Sequence, residues 1–145
     1  MSNLFDITGK VVVITGGYGI LGRNIAHYRV EQGAKVVVLG RGEEQGKELE
    51  AELKKKGEAL FLVSDVMNKE ILEQNRDEIV ARYGTIDILL NAAGGHMAGA
   101  TIAPDKTFLD LDLDAFKRVV ELNEETLAAA NLETIEKVYR RLFNN

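Results

Sequence analysis

The sequence predicts an α/β fold: a doubly wound parallel sheet of four strands in the order 3-2-1-4, with a long C-terminal helix. Three observations carry this prediction. Short apolar runs of strand length alternate with longer stretches of helical spacing along the 145 residues. The runs Val11–Ile14, Val36–Leu39 and Leu60–Val63 are continuously apolar, which marks strands covered on both faces. A glycine cluster, Gly16-Gly17-Tyr18-Gly19-Ile20-Leu21-Gly22, separates the first run from the first helix. Strands that alternate with helices join through right-handed crossovers, and four such strands in a doubly wound sheet take that order.

The elements follow one another closely. Val11–Ile14 is the first strand. From Leu21 to Gln32 the apolar positions Leu21, Ile25, Ala26 and Val30 recur at helical spacing, and Gly33 ends the helix. Val36–Leu39 is the second strand. Glu43 to Lys56 is a charged helix, supported by Glu50 four residues before Lys54 and Glu52 four before Lys56, and ended by Gly57. Leu60–Val63 is the third strand. Asn68 caps a helix from Lys69 to Tyr83 that Gly84 terminates. Ile86–Leu90 is the fourth strand. A loop from Ala93 to Thr107 contains Gly94, Gly95, Gly99 and the only proline, Pro104. Asp112 or Asp114 starts the last helix, whose apolar positions run through Phe116, Val119, Val120, Leu127, Leu132, Ile135, Val138 and Leu142. No internal repeat or linker interrupts the chain, so residues 1–145 read as a single half-sheet domain.

Composition narrows the function classes. The formal net charge is -5, and no basic stripe marks a nucleic-acid surface. There is no cysteine, which excludes disulfides and thiolate metal sites. His27 and His96 are too far apart in sequence to suggest a metal site. The first residues lack the basic start and apolar core of a signal peptide, and no apolar run is long enough to span a bilayer. The expectation is a cytoplasmic protein with no metal, no nucleic-acid partner and no membrane contact.

Gly17-x-Gly19-x-x-Gly22 follows a predicted strand and opens a predicted helix, the context required of a dinucleotide-binding turn. Gly17 is expected to allow the tight turn. Gly19 removes a side chain that would block a pyrophosphate, and Gly22 lets helix and strand pack closely. The helix N-terminus then offers unpaired N–H groups and the positive end of its dipole. A site for NAD usually places an acid near the end of the second strand, to bind the ribose 2′-hydroxyl. Here the chain reads Leu39-Gly40-Arg41-Gly42, with no acid before Glu43. Arg41 is a candidate partner for the 2′-phosphate of NADP. NADP is favoured slightly over NAD, and a solvated loop arginine is the bland alternative.

With these residues in view, the chain resembles the short-chain dehydrogenase/reductase family. Leu4-Phe5-Asp6-Ile7-Thr8-Gly9-Lys10, followed by Val-Val-Val-Ile-Thr-Gly-Gly, is similar to a family N-terminus. The family's commonest glycine signature places glycines one, five and seven residues after the threonine. Counted from Thr15 these positions hold Gly16, Ile20 and Gly22, with the middle glycine moved to Gly19. The form Thr-Gly-Gly-x-Gly-x-Leu-Gly is similar to members acting on sugar acids, of the mannonate or fructuronate type. The resemblance implies that Gly16, Gly17, Tyr18, Gly19, Ile20, Leu21 and Gly22 cradle the cofactor. It implies that Asp65, in Ser64-Asp65-Val66, contacts adenine beside Val66, and that Asn91-Ala92-Ala93-Gly94 lines the adenosine side. It also implies that Asn123 holds a proton-relay water, a catalytic role. As bland alternatives, Asp65 is a helix-entry residue, Asn91 a turn former and Asn123 an exposed helical asparagine.

The resemblance stops near Asn123. The family's chemistry needs a Tyr-x-x-x-Lys pair, in which lysine lowers the tyrosine pKa, and a serine that positions the substrate carbonyl. Tyr18, Tyr28, Tyr83 and Tyr139 have Gly22, Gln32, Asp87 and Phe143 four residues on, and the only serines are Ser2 and Ser64. Residues 124–145 are rich in helix formers, with acids early and Arg140 and Arg141 late, which complements the helix dipole. The chain therefore reads as a truncated N-terminal half of a dehydrogenase closed by a rewritten helix, engineered or from a natural split or degenerate gene. Three functions stay open: a binding module for NADP or NAD that cannot transfer hydride alone, an active oxidoreductase on a sugar acid or ketone completed by another chain, and an engineered structural fragment with no ligand. An uncovered edge on the fourth strand, Ile86 to Leu90, invites a homodimer there or through the last helix. His96 falls in the loop where the family places substrate, and a solvated histidine is the commoner reading.

Overall fold

The computed structural model describes residues 5–95, 100, 104, 107–110 and 112–123. The elements come in the order β1 (Val11–Thr15), α1 (Ile20–Glu31), β2 (Lys35–Gly40), α2 (Glu43–Lys54), β3 (Ala59–Val63), α3 (Lys69–Tyr83) and β4 (Ile88–Asn91). A 3-10 turn at Phe108–Asp110 precedes a helix over 113–123. The four strands form one parallel sheet in the order β3-β2-β1-β4, as the strand–helix alternation predicts.

Register is fixed by the β-branched runs. Val12 of β1 stands between Val36 of β2 and Ile88 of β4, and Ile14 stands between Val38 and Leu90. Successive side chains point to opposite faces. One face presents Val12, Ile14, Val36, Val38 and Phe61 to Ala26 and Val30 of α1 and to Leu49 and Leu53 of α2. The other presents Val11, Val13, Val37, Leu39 and Leu60 to Ile79 of α3, with Leu62, Tyr83 and Leu89 at its margin. Both faces are covered, which explains why the strands show no polar alternation. Full burial of each such side chain stabilises the fold by about 1.5–3 kcal/mol.

The helices end where their local chemistry dictates. In α1 the buried residues Gly22, Ala26 and Val30 recur every four positions and form one stripe. In α3 the Asn68 side chain accepts from the Ile71 N–H at 3.0 Å, and Gly84 ends the helix in the left-handed region at φ 82°. Asn75, 7% exposed, donates to the Val63 carbonyl at 3.1 Å and ties α3 to the end of β3. Asp112, not Asp114, starts the last helix, since its carboxylate accepts from the N–H groups of Asp114 and Ala115. The apolar positions expected from Leu127 to Leu142 lie outside the described residues.

Several boundaries lie one residue from the sequence expectation, and two shift by two residues. The second helix ends at Lys54 rather than Lys56. The fourth strand spans Ile88–Asn91 rather than Ile86–Leu90. The second shift has a clear cause: the Asp87 carboxylate accepts from the Val11 N–H at 2.9 Å and occupies a ladder donor of β1. Regular pairing starts only one residue later, at Val12↔Ile88.

Candidate functional site

The order β3-β2-β1-β4 reverses direction between β1 and β4. The connection from β1 runs through α1 toward β2, and the chain returns through α3 to β4 on the other side. Their carboxyl-end loops part at this switch point and leave a crevice, the general ligand position in such sheets. Thr15, 1% exposed, binds the two loops together. Its carbonyl accepts from the Ala92 N–H and its hydroxyl from the Ala93 N–H, each at 3.2 Å.

Each glycine of the first loop meets a different constraint. Gly16, not Gly17, makes the tight turn: its φ is 64°, and a Cβ there would lie 2.8 Å from Ala93 Cα. Gly17 is glycine for space, because its Cβ would lie 2.9 Å from a Val38 methyl. A Cβ on Gly22 would lie 2.6 Å from Gly17 Cα, so this glycine allows α1 to approach the turn closely, as expected. Gly19 is different. It is the N-cap of α1 with φ -68°, and an added Cβ would meet only the Gly16 carbonyl oxygen, at 3.3 Å. Among the described residues, no side chain beyond its two chain neighbours stands within 4 Å of where a Cβ on Gly19 would lie.

The two helix N-termini beside the crevice contrast electrostatically. The N-terminus of α1 has no side-chain cap and no acid in its first turn. Its amide donors and dipole end are left for an anion. Ile20 and Leu21, 85% and 75% exposed, rim it with apolar surface. The N-terminus of α2 is closed. The Tyr18 hydroxyl accepts from the Gly42 N–H at 2.9 Å, and Glu43 and Glu44 occupy the first turn. The Lys47 ammonium beside Glu43 holds that carboxyl below its ordinary value.

The other sequence-predicted residues lie at the same ends of the sheet. Arg41 follows β2, is exposed and has no ion-pair partner among the described residues. Ser64 N–H donates to the Gly40 carbonyl at 2.9 Å and brings the end of β3 beside the end of β2. Asp65 is half-buried, and one carboxylate oxygen accepts from the Met67 N–H at 3.0 Å, so it also shapes the turn into α3. Val66 follows, half-buried. Asn91 ends β4 opposite Thr15. Ala92 and Ala93 carry the contacts to Thr15, and Gly94 is exposed beside them. Asn123 sits against this second loop. Its side-chain amide donates to the carbonyls of Val119 at 2.7 Å and Gly95 at 3.2 Å, and a Cβ on Gly94 would lie 2.7 Å from its Oδ1. Its amide thus tethers the last helix to the loop after β4. His96 lies outside the described residues.

Sequence reasoning placed Tyr18 in the loop but missed its contacts. The ring stands edge-on to Phe61 at 6.4 Å between centroids, and a Cβ on Gly40 would overlap it. A large aromatic inside a glycine turn was the available signal. Among the described residues no cluster of His, Cys, Asp and Glu could hold a metal ion, and no helix is long and apolar enough to cross a membrane.

Comparison with known proteins agrees with this geometry. The family model for short chain dehydrogenase matches residues 10–140. Short-chain dehydrogenase reductase 3c of Arabidopsis thaliana is 35% identical over 123 residues, which are 85% of this chain and 45% of that protein. An uncharacterized oxidoreductase UxuB of Bacillus subtilis is 31% identical, across 81% of this chain and 46% of its own length. Among solved structures, a putative D-mannonate oxidoreductase from Haemophilus influenza with bound NAD superimposes with a TM-score of 0.78 at 26% identity, over 86% of this chain and 49% of that one. An NAD+-bound xylitol dehydrogenase superimposes with a TM-score of 0.76 at 30% identity, over 90% of this chain and 50% of that one. The chain spans about half the length of these relatives. By fold, by the order of its loops and by the extent of the match, the chain belongs to the short-chain dehydrogenase family.

Proposed function

We propose that this chain binds the ADP portion of a nicotinamide dinucleotide, with the pyrophosphate over Gly19 at the N-terminus of α1. One observation carries this reading: an uncapped helix end, unopposed by acids and cleared of side chains, stands at the switch point of the sheet. Asp65 and Val66 would flank the adenine, and Asn91 to Gly94 would line the adenosine. Arg41 would face the ribose 2′ position, which favours NADP. The NAD held by the two relatives named above supports the alternative coenzyme. Calorimetric titration with NADPH, NADH and ADP tests the proposal, and absence of heat with all three would leave a folded fragment without a ligand. Arg41→Ala should weaken NADPH about five- to tenfold, the worth of one partly solvated charge-assisted contact, and leave NADH unchanged.

The sequence holds no Tyr-x-x-x-Lys pair, so this reading assigns hydride transfer to groups outside these 145 residues. Asn123 would act by holding the loop at Gly95 rather than by touching substrate. Turnover of a sugar acid or ketone by the pure chain would refute that assignment. The reading includes a cytoplasmic setting and a homodimer, through the outer edge of β4 or the last helix. What supports the former edge is that β4 has β1 as its only strand partner among the described residues. A monomer in light scattering at high concentration would exclude the dimer.

A further inference from the structure

We infer that Tyr18 is a specificity-determining residue of the adenosine site, acting by occupying the space that a side chain at position 40 would need. This rests on the dinucleotide reading above and deepens it. Gly40 is the last residue of β2, and it lies on the same face as Val36 and Val38. Its missing Cβ would overlap the Tyr18 ring. The ring cannot simply swing aside. Its hydroxyl is held by the Gly42 N–H at 2.9 Å, and its edge lies on Phe61, a buried residue of the core.

The chemical consequence concerns the ribose 2′ position. A carboxylate that accepts from a 2′-hydroxyl must project from the end of β2. At position 40, Tyr18 denies it room. At position 42, a Cβ would stand 3.3 Å from the phenol oxygen and 2.5 Å from Gln45 Oε1. The exposed cation at 41 is what remains. Tyr18 thus excludes the acid that would select an unphosphorylated ribose, and selectivity resides in the pair Tyr18 and Gly40 as well as in Arg41.

A double-mutant cycle tests this with two readouts. The first is thermal stability, without nucleotide. Gly40→Ala should lower Tm by about 3–8 °C beside Tyr18, from overpacking, and by less than about 2 °C beside Tyr18→Ala. Equal losses in both backgrounds would overturn the inference, whatever the nucleotides do. The second is binding of 2′,5′-ADP and of ADP, which report the phosphorylated and unphosphorylated ribose. Tyr18→Ala with Gly40→Asp should shift the ratio of the two dissociation constants at least tenfold toward ADP, relative to the unaltered protein. Tyr18→Phe keeps the ring and should leave the ratio within about twofold. If the unaltered protein binds a nucleotide and the double variant keeps its ratio, the inference fails and the dinucleotide reading stands. If the unaltered protein binds neither nucleotide, the dinucleotide reading fails and the specificity role falls with it.

Discussion

Gly16 and Gly19 lie in one loop, yet alanine at each should have opposite consequences. At Gly16 the backbone φ is 64°, which costs an L-residue about 1–2 kcal/mol. The new methyl would also stand 2.8 Å from Ala93 Cα and 2.9 Å from Ala93 N. Both are backbone atoms in the loop tied to Thr15, so they cannot yield by rotating a side chain, and overpacking of this kind costs about 1–3 kcal/mol. The sum is about 2–5 kcal/mol, a large part of the ~5–15 kcal/mol that separates folded from unfolded domains. With a urea m-value of about 2 kcal/mol/M, the unfolding midpoint of Gly16→Ala should fall by roughly 1–2.5 M. At Gly19 the φ is -68° and the methyl would meet only one carbonyl oxygen, at 3.3 Å. Loss of glycine from an N-cap costs under about 1 kcal/mol, so Gly19→Ala should unfold within about 0.5 M of the parent. The same methyl would project over the α1 amides and should weaken ADP at least tenfold by titration calorimetry. A parental urea midpoint for Gly16→Ala would refute the account of the turn. Parental ADP affinity in Gly19→Ala would refute the placement of the phosphates.

Three other perturbations have defined outcomes. Asp87→Ala removes the acceptor of the Val11 N–H, and Val11 is 2% exposed; an unsatisfied buried amide costs about 1–3 kcal/mol, so Tm by calorimetry should fall by roughly 3–10 °C. Burial holds the Tyr83 phenol above its ordinary value of 10.0. A folded pKa raised in this way gives stability that is complete below pH 10 and lost as pH rises through the folded pKa, so Tyr83→Phe should flatten the alkaline limb of a stability–pH curve and leave the neutral region unchanged in slope. Asn123→Ala removes the amide that joins Val119 and Gly95; ADP affinity should fall about three- to tenfold, and hydrogen exchange at Gly94 and Gly95 should quicken, whereas unchanged exchange would exclude the tether.

The strand order was legible because it follows from two local patterns. Continuous apolar runs mark parallel strands, and short helical crossovers limit how those strands can be arranged. Asn68 and Gly84 revealed their helix ends because caps act within a few residues. What the sequence concealed depends on partners distant along the chain. Asp87 reads as part of a strand until its carboxylate is seen on Val11, 76 residues earlier. Gly16 and Gly17 are indistinguishable until one faces the backbone of Ala93 and the other a methyl of Val38. Asn123 reads as a relay residue by resemblance, and only the fold brings it to Gly95. The contacts of Tyr18 have no period or spacing to announce them.

The position of Tyr18 depends on a residue that no ligand would touch. Phe61, on which the Tyr18 ring rests, lies against Gly46 of α2, where even a methyl would collide with the phenylalanine ring. A glycine inside a helix sacrifices about 1 kcal/mol relative to alanine, so Gly46 looks like a position to improve. Alanine there would strengthen the helix as an isolated segment. It would also push Phe61, and Phe61 would push the Tyr18 ring in the loop after β1. Position 46 is therefore a remote adjusting screw for the glycine loop, and stability engineering confined to helix propensity would turn it unawares.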